Sequence, residues 1–147
     1  MPNARNILNR EEDRRIVEAI REAERNTSGE IKVHIENHCK VEVEERCLTI
    51  FNKLEMDKTE QHNGVLIYVA IKDHKLAVMG DQGINDVVDE NFWDDVIAIM
   101  VSEFKEDHYA DGLEKAILRC GEKLKTYFPY QSDDINEISD EISYGND

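Results

Sequence analysis

The chain has 147 residues, 33 of them acidic and 18 basic, so its formal net charge is -15. Such a charge repels nucleic-acid backbones and anionic membrane surfaces, and we expect neither as a partner. It attracts cations, although keeping a small protein in solution would explain the same charge. With 40% hydrophobic residues, the chain is long enough for one domain with its own core.

The N-terminus and the cysteines indicate the compartment. Residues 1–15 lack the apolar segment of a secretory signal, and no apolar run approaches the roughly 20 residues of a membrane-spanning helix. Cys39, Cys47 and Cys120 are odd in number and form no CxxC pair, which is typical of free thiols. The sequence therefore predicts a cytoplasmic protein without membrane insertion.

The first half of the chain has the pattern of a helix, a strand and a second helix. Asn9 and Glu12 have the spacing of a capping box, and apolar residues then recur at helical intervals, which predicts a helix over residues 10–25. Strict alternation over residues 30–36 predicts a strand with one buried and one solvent-exposed face. Residues 43–54 have one apolar face and predict a helix.

The second half begins with a hairpin. The apolar run 65–71 predicts a strand buried on both faces, the polar residues 72–75 a turn, and residues 76–79 a third strand. Two further helices are expected, one beginning near Glu90 and one that Pro129 closes.

This order of elements predicts a three-layer α/β/α sandwich around a small mixed sheet. A right-handed crossover through the helix 43–54 makes the first two strands parallel, and the hairpin makes the third strand antiparallel to the second. The starts of the first two strands and the end of the third then share one edge of the sheet. We expect a single domain over residues 1–130 and an acidic, flexible tail over residues 131–147.

The loop after the third strand is rich in oxygen-bearing side chains. Within ten positions it contains Asp81, Asn85, Asp86 and Asp89, together with Gly83. Calcium and magnesium ions prefer such oxygen ligands, about six to eight of them for calcium. The spacing is not that of an EF-hand, and a solvated loop whose Asp89 caps the next helix would explain the same residues.

The shared edge adds acidic residues from other segments. Glu30 begins the first strand, and Asp57 and Glu60 lie in the loop before the second. Each of them also has an ordinary explanation as a solvated side chain. Because the topology places them beside the acidic loop, we expect divalent cations to bind there, with ligands among Glu30, Asp57, Glu60, Asp81, Asn85, Asp86 and Asp89.

The opposite edge of the sheet is the alternative site. It would collect polar residues of the hairpin and of the linker before the last helix, namely His38, Asp73, His74, Asp107 and Asp111. Turn formation explains Asp73 and His74, and an N-cap explains Asp111. The histidines have no HExxH or other paired spacing, so no zinc site is expected.

The sequence contains no motif for nucleophilic catalysis, neither a GxSxG elbow nor a phosphate-binding P-loop. Hydrolysis of a phosphate ester at the acidic loop would need a metal ion that activates water and holds the ester oxygens. Asp81 would then be the first-choice ligand or nucleophile. Catalytic residues stay unassigned, because residues 81–95 contain no lysine or arginine.

Several segments together resemble the TPM domain family: NGVLIYVA, KDHKLAV, GDQGIND, YADGL and YFP, with Trp93 between the third and the fourth. The resemblance covers residues 11–129. It implies an α/β/α sandwich around about four strands, one more than the pattern locates. It also implies acid phosphatase activity, as in a thylakoid lumen member, or binding of divalent cations, often calcium. Many members carry a signal peptide and a membrane helix, whereas this chain resembles a stand-alone bacterial TPM domain.

The sequence therefore predicts a TPM domain that binds calcium or magnesium and serves as a metal-responsive binding or regulatory module. The alternative is a metal-dependent acid phosphatase that acts on phosphomonoesters. The lack of basic residues in the acidic loop favours the first function. No pattern identifies a protein partner.

Overall fold

The computed structural model describes residues 3–130 and 139–145. Its elements are, in chain order, α1 (Arg10–Glu24), β1 (Glu30–Glu36), α2 (Val43–Lys53), β2 (Gly64–Ala70), β3 (Lys75–Gly80), α3 (Gln82–Asn85), α4 (Asp94–Lys105), α5 (Tyr109–Lys125) and β4 (Ser143–Tyr144). A short 3-10 turn, Met56–Lys58, lies between α2 and β2. Within the two described ranges, no helix is both long and apolar enough to cross a membrane.

The first helix forms as its sequence predicts. The Asn9 side chain accepts a 2.8 Å hydrogen bond from the backbone N–H of Glu12, and the Glu12 side chain accepts one of 3.0 Å in return. The buried stripe of α1 packs against α5 and consists of Ile16, Ala19, Ile20 and Ala23. Gly121 of α5 permits this close approach, because a Cβ atom there would lie 2.8 Å from the Ala23 Cβ.

The strands form a mixed sheet in the spatial order β3, β2, β1, β4. β1 and β2 are parallel, with Glu30 opposite Gly64, and β3 is antiparallel to β2, with Gly80 opposite Val65. These directions are the predicted ones, since α2 connects the parallel pair and a hairpin connects β2 to β3. The starts of β1 and β2 and the end of β3 therefore share one edge.

The fourth strand lies within the segment that the sequence analysis interprets as a tail. β4 pairs in parallel with the second half of β1, and the phenol of Tyr144 donates a 2.8 Å hydrogen bond to Asp13 of α1. These long-range contacts place residues 139–145 on the domain. The remainder of the predicted tail that precedes β4, residues 131–138, lies outside the described residues.

Helices cover both faces of the sheet, as the predicted sandwich requires. The larger core lies between one face and helices α1, α4 and α5, and it includes Ile31 and Val33 of β1. The smaller core lies between the other face and α2, and it includes Leu66 and Tyr68 of β2. Because β2 contributes to both cores, all of its residues are buried. Each fully buried aliphatic side chain contributes roughly 1.5–3 kcal/mol of stability.

One expectation about β1 is wrong, because its polar side chains do not face solvent. The whole strand is buried, including the polar residues Glu30, Lys32, His34 and Glu36. The segment before β4 covers the middle of the strand, and Lys32 Nζ donates hydrogen bonds of 3.1 and 2.6 Å to the carbonyls of Ser139 and Glu141. Alternation could not reveal this burial, since the covering residues lie far away in the sequence.

The starts of the last two long helices also differ from the prediction. The acidic loop contains the short helix α3, and α4 begins at Asp94 rather than near Glu90. Asp111 is not the N-cap of α5, because that helix already begins at Tyr109. The carboxylate of Asp111 pairs instead with Arg15 of α1, which connects the two helices that pack together in the larger core.

Candidate functional site

The edge where β1 and β2 begin and β3 ends is the predicted site. We call it the acidic edge and define it as Glu30, residues 56–63 and residues 81–90. Backbone hydrogen bonds hold its segments together. Asp81 N donates to the first carbonyl of β2 over 2.9 Å, and Glu30 N donates to Asn63 O over 3.4 Å. The topology therefore brings the predicted segments to one place.

Asp81 has the clearest ligand character of these residues. Its Oδ1 caps α3 by accepting a 2.8 Å hydrogen bond from Gln82 N. The side chain is 13% exposed, and its buried Oδ2 has no hydrogen-bond partner among the residues that the structure describes. His62 Nδ1 lies 3.5 Å from Oδ2, which is an ion pair only when the imidazole is protonated. Buried polar atoms in proteins normally have a hydrogen-bond partner, so this oxygen atom is an exception.

Gly83 fixes how closely the acidic loop approaches the loop before β2. A Cβ atom at this position would lie 2.3 Å from the carbonyl oxygen of Gln61 and 2.6 Å from that of His62. The Gly83 N–H donates a 2.8 Å hydrogen bond to the same His62 carbonyl. Only glycine permits this contact, so the two loops are held together by backbone atoms.

The other predicted ligands of the acidic loop are engaged locally. Asn85 Nδ2 donates to the last carbonyl of β3 over 3.1 Å, and Asp86 Oδ1 accepts a 2.5 Å hydrogen bond from Gln82 Nε2. Asp89 Oδ1 accepts a 2.9 Å hydrogen bond from Asn91 N. Asp89 thereby stabilises a turn that precedes α4 rather than the first turn of that helix.

Three predicted ligands come from outside the loop. Asp57 lies in the 3-10 turn and is exposed, as is Glu60, whereas Glu30 is 5% exposed. Within the described part of the chain, no three His, Cys, Asp or Glu side chains are arranged to hold a metal ion. The predicted segments therefore meet at the acidic edge, but their side chains do not form a preformed set of metal ligands.

The acidic edge offers a small number of protein oxygen atoms to a hard cation. Among the residues of the acidic edge, Asp81 has the buried side-chain oxygen, Oδ2, that lacks a hydrogen-bond partner in the described part of the chain. Magnesium is commonly held by one or two carboxylates and keeps several of its waters, whereas calcium takes more protein oxygens. The donor set is therefore compatible with a partly hydrated ion.

A further pair of carboxyl groups adjoins Glu30. Glu24 Oε2, at the end of α1, accepts a 2.9 Å hydrogen bond from Ile31 N. Burial, a hydrogen bond with Asp140 and the nearby charge of Glu30 together raise the pKa of Glu24 to about 10. Glu24 is therefore protonated at neutral pH. The sequence pattern does not indicate this role, because a glutamate that ends a surface helix is usually solvated.

The other end of β1 carries a buried polar network that the sequence analysis did not identify. Glu36 accepts hydrogen bonds of 2.8 and 2.7 Å from the guanidinium of Arg46, and a further one from the hydroxyl of Tyr68. His34 Nε2 lies 3.1 Å from Glu36 Oε1. Burial acts to raise the pKa of Glu36, but the three hydrogen-bonding partners lower it to about 2. The carboxylate is therefore ionised and fully paired.

The residues of the alternative site do not form one cluster, although His74 and Asp107 line the same cavity. Asp73 accepts a 2.7 Å hydrogen bond from Cys39 N and lies 3.0 Å from His38 Nδ1. His74 has a left-handed φ of 54 degrees in the hairpin turn. Asp73 and His74 therefore act as turn residues, as the sequence analysis allowed, and Asp111 is engaged with α1 elsewhere.

The fold and the edge define a class of protein, a small α/β/α sandwich with a mixed sheet and acidic loops at one edge. The family model of the TPM domain matches residues 3–123. The chain therefore belongs to the TPM domain family, which confirms the resemblance of its motifs.

The solved structures that are similar to this chain include the following two. The NMR structure of the BA42 protein from the psychrophilic bacterium Bizionia argentinensis is 46% identical, with a TM-score of 0.89 over 94% of this chain and 95% of that one. The N-terminal domain of a protein from P. gingivalis is 16% identical, with a TM-score of 0.70 over 85% and 82% of the two chains. This second likeness shows the fold alone. No curated protein matches the chain.

Proposed function

We propose that this TPM domain binds a divalent cation, calcium or magnesium, at the acidic edge and acts as a metal-responsive binding or regulatory module. The observation that carries the proposal is the buried Oδ2 of Asp81, which has no hydrogen-bond partner among the described residues. A carboxylate in a partly buried position without full pairing destabilises the folded state, and a cation beside it would offset that cost.

The second ligand that we propose is Glu30. It is almost fully buried, and it begins β1 at the edge where Asp81 follows β3. Two carboxylates with several retained waters suit magnesium. Calcium would need more protein oxygens, which the exposed side chains of Asp57 and Glu60 would supply after a local movement of their loop.

Binding at this position would couple three segments of the chain. The backbone of Asp81 is bonded to β2, and Gly83 contacts the loop before β2 directly. An ion that binds only the closed arrangement of these loops would shift their populations toward it. Such a change in loop order is the proposed basis of a regulatory role.

The alternative, a metal-dependent acid phosphatase, has weaker support from the distribution of charge. Phosphoryl transfer requires positive charge on the transferring oxygens, normally from metal ions together with arginine or lysine. Residues 81–95 contain neither, and the half-buried Arg46 interacts with Glu36 at the opposite end of β1. We therefore favour cation binding over hydrolysis.

Titration of the 15N-labelled protein with calcium chloride and, separately, with magnesium chloride tests the proposal. We expect saturable amide shifts that are largest within residues 81–90 and accompanied by shifts at Glu30 and residues 56–63. Shifts centred on Asp73 and Asp111, or no saturable shift at millimolar ion, would refute it. A parallel assay with a phosphomonoester, with and without metal, should show no enzymatic turnover.

A further inference from the structure

A cavity of about 350 Å³ opens between α2 and β4, at the end of β1 that lies away from the acidic edge. Glu30 begins β1 at the acidic edge and Glu36 ends it at the cavity, so the two sites are roughly 20 Å apart along the strand. The volume falls in the lower range of pockets for small ligands. We call it the cationic cavity after its basic lining residues, which are His34, His38, Lys40, Arg46 and Lys53.

The charge of this cavity is not balanced by its acidic residues. Glu36 is the carboxylate that lines it, and the bidentate contact with Arg46 neutralises that carboxylate. Neither Lys40 nor Lys53 forms an ion pair with any residue that the structure describes. Two lysine residues that form no ion pair within the described part of the chain therefore line the cavity, although the whole chain has a net charge of -15.

The pKa of the buried imidazole of His34 is lowered mainly by burial and also by cationic residues of the cavity. Burial lowers the pKa of His34, and the charges of Arg46 and Lys53 lower it further, against the opposing effect of Glu36. His34 is therefore neutral at pH 7. The positive charge that faces the cavity comes from the lysine side chains and not from this imidazole.

One wall of the cavity is apolar. Val41, Ile50 and Leu54 line it on the side of α2, and Val41 is 43% exposed. A pocket that combines an apolar wall with a few charged groups holds the nonpolar part of a ligand on the wall and fixes its orientation through the charges.

We propose that the cationic cavity binds a small phosphomonoester. The phosphate dianion would lie between the ammonium groups of Lys40 and Lys53, and the apolar part of the ester would contact Val41 and Leu54. Two ammonium charges match a dianion better than the single charge of a carboxylate. The site requires no metal ion and involves no chemical step.

Titration of the 15N-labelled protein with phenyl phosphate at constant ionic strength tests this proposal. We expect saturable amide shifts within residues 34–46 and 143–145. Inorganic phosphate should bind more weakly because it lacks the apolar group, and benzoate should bind more weakly because it has one charge. Lys40→Met and Lys53→Met should each weaken phenyl phosphate binding about tenfold, a change of roughly 1.4 kcal/mol.

The control is Lys125→Met, which removes the same charge from the exposed end of α5, on the opposite face of the sheet. Its affinity for phenyl phosphate should equal that of the wild type. An equal loss in Lys125→Met and Lys53→Met would reveal a general charge effect and overturn the proposal, as would the absence of saturable shifts around the cavity. Binding should persist in EDTA, so this result is independent of the metal titration.

Discussion

Ser143 Oγ lies 2.8 Å from His34 Nδ1, so the last strand contributes directly to the wall of the cationic cavity. The other ring nitrogen of His34 lies 3.1 Å from Glu36 Oε1. A carboxylate only accepts hydrogen bonds, so Nε2 carries the proton and Nδ1 accepts the Ser143 hydroxyl. This chain of contacts connects β4 to the buried end of β1, and the cavity depends on the docking of β4.

The first prediction concerns Asp81→Asn. We expect the metal-free variant to be about as stable as the wild type, because asparagine keeps the Oδ1 cap of α3 and replaces the buried oxygen atom that has no hydrogen-bond partner among the described residues. The wild type should gain about 2.7 kcal/mol at a hundred times the dissociation constant of the ion. The variant should lose most of this gain. Thermal unfolding in metal and in EDTA measures both quantities.

Asp94→Asn is the matched control for this experiment. Asp94 is exposed at the start of α4 and lies outside the predicted ligands. The Asp94→Asn substitution makes the same change of charge as Asp81→Asn. This variant should keep the full metal-dependent gain in stability. An unchanged gain in Asp81→Asn would exclude Asp81 as a principal ligand.

The sheet directions could be predicted because they depend on local patterns, but β4 could not. Ser143 and Tyr144 form a strand of two residues within an acidic segment, with no alternating run to identify it. Its docking depends on Asp13, His34 and Lys32, all of which lie more than a hundred positions earlier. The same contacts explain why β1 is buried on both faces although its sequence predicts one exposed face.

The candidate site could likewise be predicted in part. Parallel pairing of β1 and β2 was enough to place Glu30 and the acidic loop at one edge. Composition alone could not distinguish a ligand from a turn residue, and Asp86 and Asp89 accept hydrogen bonds within their own loop. The unsatisfied Oδ2 of Asp81 depends on packing, which no sequence pattern describes.

The second prediction concerns the pair of the buried Glu36 and the half-buried Arg46. Arg46→Met should reduce the free energy of unfolding by about 3 kcal/mol, because it leaves the carboxylate of Glu36 buried without its main partner. Urea denaturation measures this change. Arg14→Met, at an exposed position of α1, is the control and should cost less than about 0.5 kcal/mol. Equal effects of the two variants would mean that the ion pair is not structurally important.

The third prediction concerns the contact between the two loops of the acidic edge. Gly83→Ala should destabilise the protein by about 1–3 kcal/mol, because the added methyl group would overlap backbone atoms that cannot rotate away. The affinity of the Gly83→Ala variant for the metal ion should also fall. Asn91→Ala changes an exposed residue that follows the acidic edge and should alter metal affinity little. Equal metal affinity in both variants would argue against coupling between the loops and the ion.

The fourth prediction concerns the pH dependence of stability that Glu24 introduces. The pKa of Glu24 is about 10 in the folded state and 4.5 without the surrounding structure. Between these values, the folded state binds a proton that the unfolded state has lost. The contribution of this group is therefore complete below pH 4.5 and is lost as the pH rises toward 10. For one proton, the slope is at most about 1.4 kcal/mol per pH unit.

Glu24→Gln isolates this effect, because the amide keeps an oxygen atom for the hydrogen bond from Ile31 N but cannot ionise. Urea denaturation between about pH 7 and about pH 8.5 avoids most of the histidine titration. Burial also raises the pKa of Cys47, to about 12, but this thiol is present in both proteins and its effect cancels in their difference. The stability of the wild type should fall with pH relative to Glu24→Gln, and Glu22→Gln, exposed on the same helix, should behave like the wild type. Parallel profiles for the wild type and Glu24→Gln would show that the folded state does not hold its extra proton on Glu24.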